Sequence, residues 1–263
     1  MPAAPAQFVK SRDNPLLKEL RRLAQDSTAY RRQRRIWVEG DHLCRAALLR
    51  GVVPVMAVFS ASLWPLASAE WTQCATKNIV IPDAFFTDIS GLASPAAMGF
   101  VIDLPADLVV LGQVATVILD RVQDAGNVGA ILRSASAFGF VQVIALKGTA
   151  ALWSPKVLRA GMGAHFGLTL FDGVEPDVLD ALHVPIMVTS SHSGLALHQL
   201  LSQSKLPMPC AWAFGHEGQG VSDYLARRAG LQVRIAQPGG EESLNVARAA
   251  AICLHASATV ALA

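Results

Sequence analysis

The chain has 263 residues, 52% hydrophobic and 16% charged, enough to bury a sizeable core in one or two domains and too apolar for a disordered or fibrous protein. The opening MPAAPAQFVKSR lacks the apolar run of a secretion signal, and the uncharged stretch from Val52 to Ala69 is broken by Pro54 and Pro65, so a cytoplasmic chain without a membrane span is expected. Cys44, Cys74, Cys210 and Cys253 lie far apart with no CxxC pair, which argues against a disulfide framework and a zinc site, so no metal is expected.

Net charge is only +2 but is unevenly placed: between Phe8 and Arg35 nine Lys/Arg face three acids, giving +6, so the rest of the chain carries −4. Arg12, Lys18, Arg21, Arg22, Arg31, Arg32, Arg34 and Arg35 in this arm are candidate RNA phosphate contacts, because each neutralised phosphate releases counterions. A solvated helix face accounts for the charge equally well. From Asn14 to Leu49 the pattern reads as helical, with Leu16, Leu17, Leu20 and Leu23 on one side and a second helix at Asp41–Leu49. Short strands are predicted at 52–59, 78–81 and 98–102, so residues 1–105 read as a small α/β domain and 106–113 as an apolar linker.

From Val114 onward strands and helices alternate. Strands are predicted at 114–119, 141–146, 168–171, 186–189, 211–214 and 231–235, and helices at 128–138, 155–161, 176–183, 222–229 and 244–260. Near-continuous apolar strands alternating with helices imply an α/β domain over 114–263 with a largely parallel sheet, whose ligands bind beyond the carboxyl ends of the strands. Three glycine-bearing polar loops follow predicted strands there: DRVQDAGN after Leu119, GHEGQGVS after Phe214 and AQPGGEESLN after Ile235. None is a dinucleotide G-x-G-x-x-G in its strand–turn–helix setting or a P-loop, which weakens those readings. Two glycines, two glutamates and Ser-Leu-Asn before the last helix exceed what a simple N-cap requires.

The stretches NVGAILRSASAFG, SPKVLRAGMGAHF, AFGHEGQGVS and IAQPGGEESLNVARAAAICL resemble, in order and spacing, the SpoU/TrmH family of SPOUT RNA 2′-O-ribose methyltransferases. The resemblance is strong from Val114 to the C-terminus, and SRDNPLLKELRRLAQDSTAYRRQRRIWVEGDHLCRAAL resembles more weakly the start of the L30e-like RNA-binding domain that many members carry. It implies a parallel sheet with a deep trefoil knot, S-adenosylmethionine as methyl donor, no metal, and a homodimer through the knot domain. Arg133 and Asn127 match catalytic positions of the family, and Glu217, Ser243 and Asn245 join them; Ser243 and Asn245 are expected to project toward the ribose. Thr189, Gly215, Ile235, Leu244 and Ser243 are implied to hold the cofactor, with Gly239 and Gly240 freeing the turn. A guanidinium is a poor base, so Arg133 is expected to grip phosphate and stabilise the developing alkoxide, with proton abstraction left open.

Each residue also has a plainer reading: Asn127 as a helix N-cap, Glu217 as the countercharge of the Ser222 helix, Ser243 as a cap, and the Ala247, Ala250, Ala251 and Ala258 face as packing on the sheet or on a dimer partner. His216, Ala125 and Ala236–Gln237 replace residues usual in the family. The resemblance makes structured RNA the substrate, ribosomal RNA of the 23S type ahead of transfer RNA, with a non-catalytic RNA-binding homologue as the other alternative.

Overall fold

The computed structural model describes residues 5–190, 193–239 and 243–262. The chain divides into two compact units, one of Met1–Ala106 with Trp153–Phe166, the other of Asp107–Leu152 with Gly167–Ala263.

The first unit contains β1 (Ala6–Phe8), α1 (Pro15–Gln25), α2 (Ala29–Gln33), β2 (Arg35–Glu39), α3 (Asp41–Leu49), β3 (Met56–Ser60), α4 (Ala69–Thr72), β4 (Asn78–Ile81), α5 (Asp83–Ile89) and β5 (Met98–Asp103). Its sheet runs β1-β4-β3-β5-β2, parallel from β1 to β3 and antiparallel at β5. Helix α1 starts where Asn14 Oδ1 accepts the Leu16 N–H at 2.9 Å and Pro15 pre-sets the first turn. Its buried Leu17, Leu20 and Leu23 pack with Trp37, Ile79, Ile81 and Phe86. The expected helical stretch from Asn14 to Leu49 is interrupted by β2. Ile36, Trp37 and Val38 are buried in succession, as a strand covered on both faces requires, and α2 stops on Arg34 in the left-handed region at φ 55°.

The second unit contains β6 (Thr116–Asp120), α6 (Ala125–Ala137), β7 (Gln142–Leu146), then beyond α7 (Pro155–Gly161) β8 (Thr169–Val174), β9 (Ile186–Thr189), β10 (Leu195–Ala196), α8 (Leu197–Ser202), β11 (Ala211–Gly215), α9 (Asp223–Arg228), β12 (Leu231–Arg234) and α10 (Val246–Leu262). The region expected as a helix at 176–183 is a 3-10 helix at Pro176–Ala181. All seven strands are parallel, in the order β10-β12-β9-β11-β6-β7-β8. β11 therefore lies between β9 and β6, and α10 packs on α6 and β11.

The division differs from the expected one in two places. Residues 107–113 are part of the second unit, not a free linker: Leu111 N–H donates to Gln142 Oε1 at 2.9 Å and His183 N–H to the Gly112 carbonyl at 2.8 Å. The helix α7, expected within the second domain, belongs to the first unit, where a Cβ on Gly163 would lie 2.4 Å from that of Ala46 on α3.

At the centre of the second core Trp212 is wholly buried, and its indole N–H donates to Ser257 Oγ of α10 at 2.9 Å. The four cysteines are free, and burial pushes the Cys210 thiol up to about 12, so it serves as an inert packing group. We expect Ser257→Ala to strand the indole N–H and lower stability by about 1–3 kcal/mol, read from urea unfolding.

Candidate active site

The parallel order brings the carboxyl ends of β12, β9, β11 and β6 side by side. Thr189 pairs with Val233, and Gly215 lies opposite Asp120. The loops entered from Asp120, Gly215 and Arg234 thus begin from one edge, where a ligand of such a sheet binds. Gly215 cannot carry a side chain there, since a Cβ would sit 2.1 Å from the Gly220 carbonyl carbon. The second loop folds back on itself, with His216 N–H donating to Gly220 O at 2.9 Å and Gly220 N–H to His216 O at 2.8 Å.

Glu217 at the tip of that loop reaches the turn between β6 and α6. Its Oε1 accepts from Asn127 Nδ2 at 3.1 Å and the Asp124 N–H at 3.2 Å, and its Oε2 accepts from the Gln123 N–H at 3.3 Å. Asn127 Oδ1 in turn accepts from Asn245 Nδ2 at 3.0 Å. Asn245 Oδ1 is committed to the N–H groups of Ala247 and Arg248 at 3.0 and 3.2 Å, which orients its amide and so the whole chain of donors. Three loops distant in sequence are tied by one directional relay that ends on a carboxylate.

The relay corrects several expectations. The N-cap of α6 is Asp124, whose Oδ1 accepts the Asn127 N–H at 2.7 Å, so Asn127 stands in the first turn with its amide free for the relay. Glu217 faces the positive end of α6 instead of α9, whose Ser222 N–H is taken by Asp120 Oδ2. Asn245 caps α10, while Ser243 is exposed and has no hydrogen bond among the described residues. Asn245 thus gives one amide N–H to Asn127, and its side chain is exposed. Gly239 is described, whereas Gly240 lies outside the described residues.

Arg133 is not drawn into this cluster. Six residues beyond Asn127 it points about 120° away around α6, exposed and without a hydrogen bond or ion pair among the described residues. Thr189 and Ile235 are partly buried, at or just beyond the same sheet edge, and Leu244 is 37% exposed.

A sequence profile of the SpoU rRNA Methylase family matches residues 115–255, spanning the relay and Arg133. The chain belongs to the SpoU methylase family. It is 30% identical over 222 residues, 83% of this chain and 86% of the other, to the 23S rRNA (guanosine(2553)-2′-O)-methyltransferase RlmP of Bacillus subtilis (strain 168). It is similar to the structure of an AdoMet-bound rRNA methyltransferase from Sinorhizobium meliloti, with a TM-score of 0.80 at 25% identity over 96% of this chain and 97% of that one. A structure described as an RNA 2′-O ribose methyltransferase aligns with a TM-score of 0.75 at 26% identity, over 98% and 100% of the two chains.

In this SpoU methylase the basic arm is split by its contacts. Arg12 pairs with Asp88, Arg21 donates to the Asp88 carbonyl at 3.2 Å, Arg34 to the Pro105 carbonyl at 2.7 Å, and Arg35 pairs with Asp103 at 2.7 Å. Arg31 lies over the Tyr30 ring. Lys18, Arg22 and Arg32 are exposed and make no ion pair among the described residues. Arg121, with Asp120 and Gln219, was not singled out from the sequence; an acid and a base closing an apolar strand was the available signal. Among the described residues no helix is long and apolar enough to cross a membrane, and no group of three His, Cys, Asp or Glu is placed to hold a metal.

Burial pushes the Glu217 carboxyl up, but hydrogen bonds from Asn127 and from the Glu217, Gln123 and Asp124 backbone outweigh it and hold the group below its ordinary range. A depressed folded-state value adds stability that is complete above the ordinary carboxylate range and is lost as pH falls through the depressed value. Glu217→Gln turns an amide NH2 toward N–H donors. We expect it to remove about 1 kcal/mol at neutral pH after solvent screening, and the gap from the native chain to close in acid, measured by denaturant unfolding across pH.

Proposed function

We propose that this chain transfers the methyl group of S-adenosylmethionine to a ribose 2′-hydroxyl in large-subunit ribosomal RNA. The observation that carries the reading is the relay that closes three loops at the carboxyl edge while leaving the Arg133 guanidinium uncommitted. The names of the similar rRNA and ribose methyltransferases support the substrate class.

The cofactor, when bound, supplies an electrophilic methyl group on a sulfonium. The residues present fit such a ligand: Thr189, Gly215 and Ile235 stand at or beside neighbouring strand ends, offering main-chain groups, and the Ile235 and Leu244 side chains offer apolar surface. Ser243 is free to join them. Arg133, kept charged as guanidinium groups are, grips the phosphate beside the target ribose and stabilises negative charge growing on the 2′-oxygen. Asn127, Glu217 and Asn245 hold the loops in the arrangement that sets the distance of attack.

The first unit acts as the L30e-like RNA-binding domain, engaging phosphates through Lys18, Arg22 and Arg32, which are exposed and make no ion pair among the described residues. The return of α10 onto α6 and β11 after β12 supports the knot reading. The protein works as a cytoplasmic homodimer through the second unit, where a groove of about 600 Å³ lined by Leu197, Leu201, Ile252 and Ala256 offers apolar area.

Incubation with methyl-labelled S-adenosylmethionine is expected to label ribosomal RNA as alkali-resistant 2′-O-methyl nucleotide, with Arg133→Ala losing about 100-fold or more in rate at unchanged stability. Label confined to transfer RNA would overturn the substrate, and no label on either RNA would overturn the reaction. Replacing Lys18, Arg22 and Arg32 by alanine is expected to flatten the salt dependence of RNA affinity by roughly two to three units of log–log slope, whereas Arg12→Ala leaves it near the native value, measured by filter binding across salt.

A further inference from the structure

Arg121 follows directly on β6 and adopts φ 62°, a left-handed conformation that side chains disfavour and glycine or asparagine occupies more readily. The arginine is nonetheless held by four contacts. Its backbone N–H donates to Thr149 Oγ1 at 3.0 Å, and its Nε donates to Asp120 Oδ1 at 3.1 Å. One terminal nitrogen donates to Gln219 Oε1 at 3.0 Å and the other to the Gly220 carbonyl at 3.4 Å. The fork thus spans from the end of β6 to the closing residues of the loop that carries Glu217.

Two neighbours are shaped to this arrangement. Gly148, itself at φ 91°, lies where a Cβ would come within 3.0 Å of Arg121 Cγ, so its lack of a side chain leaves the arginine its path. Asp120, with a side chain only 4% exposed, takes Arg121 on one oxygen and the Ser222 N–H on the other, so the residues that close the loop are held both directly and through Arg121 by one carboxylate.

We propose that Arg121 is a positioning residue for the reaction, a latch that keeps the 216–220 loop closed and thereby seats Glu217 on the turn before α6. The proposal rests on the methyltransferase reading for what the closed loop serves, but the latch itself is a property of this chain's own contacts. Closure fixes Gly215 and the relay before a ligand arrives, so the binding of the cofactor need not pay for ordering the loop. A lysine has no fork to serve Asp120, Gln219 and Gly220 at once.

The test compares native protein with Arg121→Gly, which suits the backbone conformation but deletes the fork, and with Gln219→Ala, which removes one partner from the loop side. Amide exchange by NMR at His216 and Gly220 is expected to speed up about tenfold or more in both variants, with exchange in β9 unchanged. Native exchange at those two amides in either variant would overturn the latch, as would acceleration spread evenly over the sheet. Calorimetric binding of S-adenosylhomocysteine is expected to weaken about tenfold in Arg121→Gly. Undiminished affinity would remove the latch from the reaction. Absence of binding by the native protein would overturn the methyltransferase reading, while the exchange data would still decide the latch.

Discussion

The site depends on one carboxylate meeting three N–H donors. Glu217 receives Asn127, Gln123 and Asp124 at the positive end of α6, and the side chain that delivers it comes from a loop more than ninety residues later. Ordering such loops carries a conformational-entropy cost that glycine-bearing segments feel most. Charge-assisted hydrogen bonds at a helix N-terminus supply a compensating interaction and also fix direction, because the acceptor end of the relay can only be the carboxylate. Asn245 completes it by using its oxygen on α10 and its nitrogen on Asn127, so the start of the last helix and the start of α6 are registered by one amide.

The cations of the chain divide by whether an acceptor has already taken them. Arg12, Arg34, Arg35 and Arg121 are engaged by carboxylates or carbonyls, and they stabilise local structure by modest amounts where exposed. Arg133, Lys18, Arg22 and Arg32 make no hydrogen bond or ion pair of that kind among the described residues, and Arg32 feels only the nearby charge of Asp26. For an RNA-modifying enzyme this division matters more than net charge, which is only +2 and would not by itself suggest a polyanion.

The plain core of the second unit serves the same end. A sheet of seven parallel strands buries its central members on both faces, as at β6, β7 and β11, and leaves chemistry to the loops at one edge. Trp212 and Ser257 tie α10 into that core, so the relay at the other end of α10 works from a fixed support. The arrangement of the three loops therefore depends on the register between strands.

Much of the architecture was legible in the sequence because burial on both faces writes a continuous apolar run. The segments Asn78–Ile81, Ile186–Thr189 and Pro155–Gly161 coincide with the predicted elements, and most other strands of the second unit differ only at their ends. β2 was hidden among helical neighbours, and the two-residue β10 and six-residue α8 are too short to show a period. The resemblance picked out Asn127, Glu217 and Asn245, and the fold brings them together; their partners were not legible, since hydrogen-bond direction depends on which loops meet. Local pattern likewise assigned α7 by its place in the chain, whereas its packing belongs to the first unit. Sequence alone determined the parallel α/β core and the family, and it singled out the three glycine-bearing loops that the fold brings to one edge, because apolar periodicity and motif spacing are local. Only the tertiary structure decided that Asp124 and Asn245 are the caps, that Arg121 bridges to Gln219 and Gly220, and which cations remain free, because those outcomes turn on strand order and contacts between residues far apart in the chain.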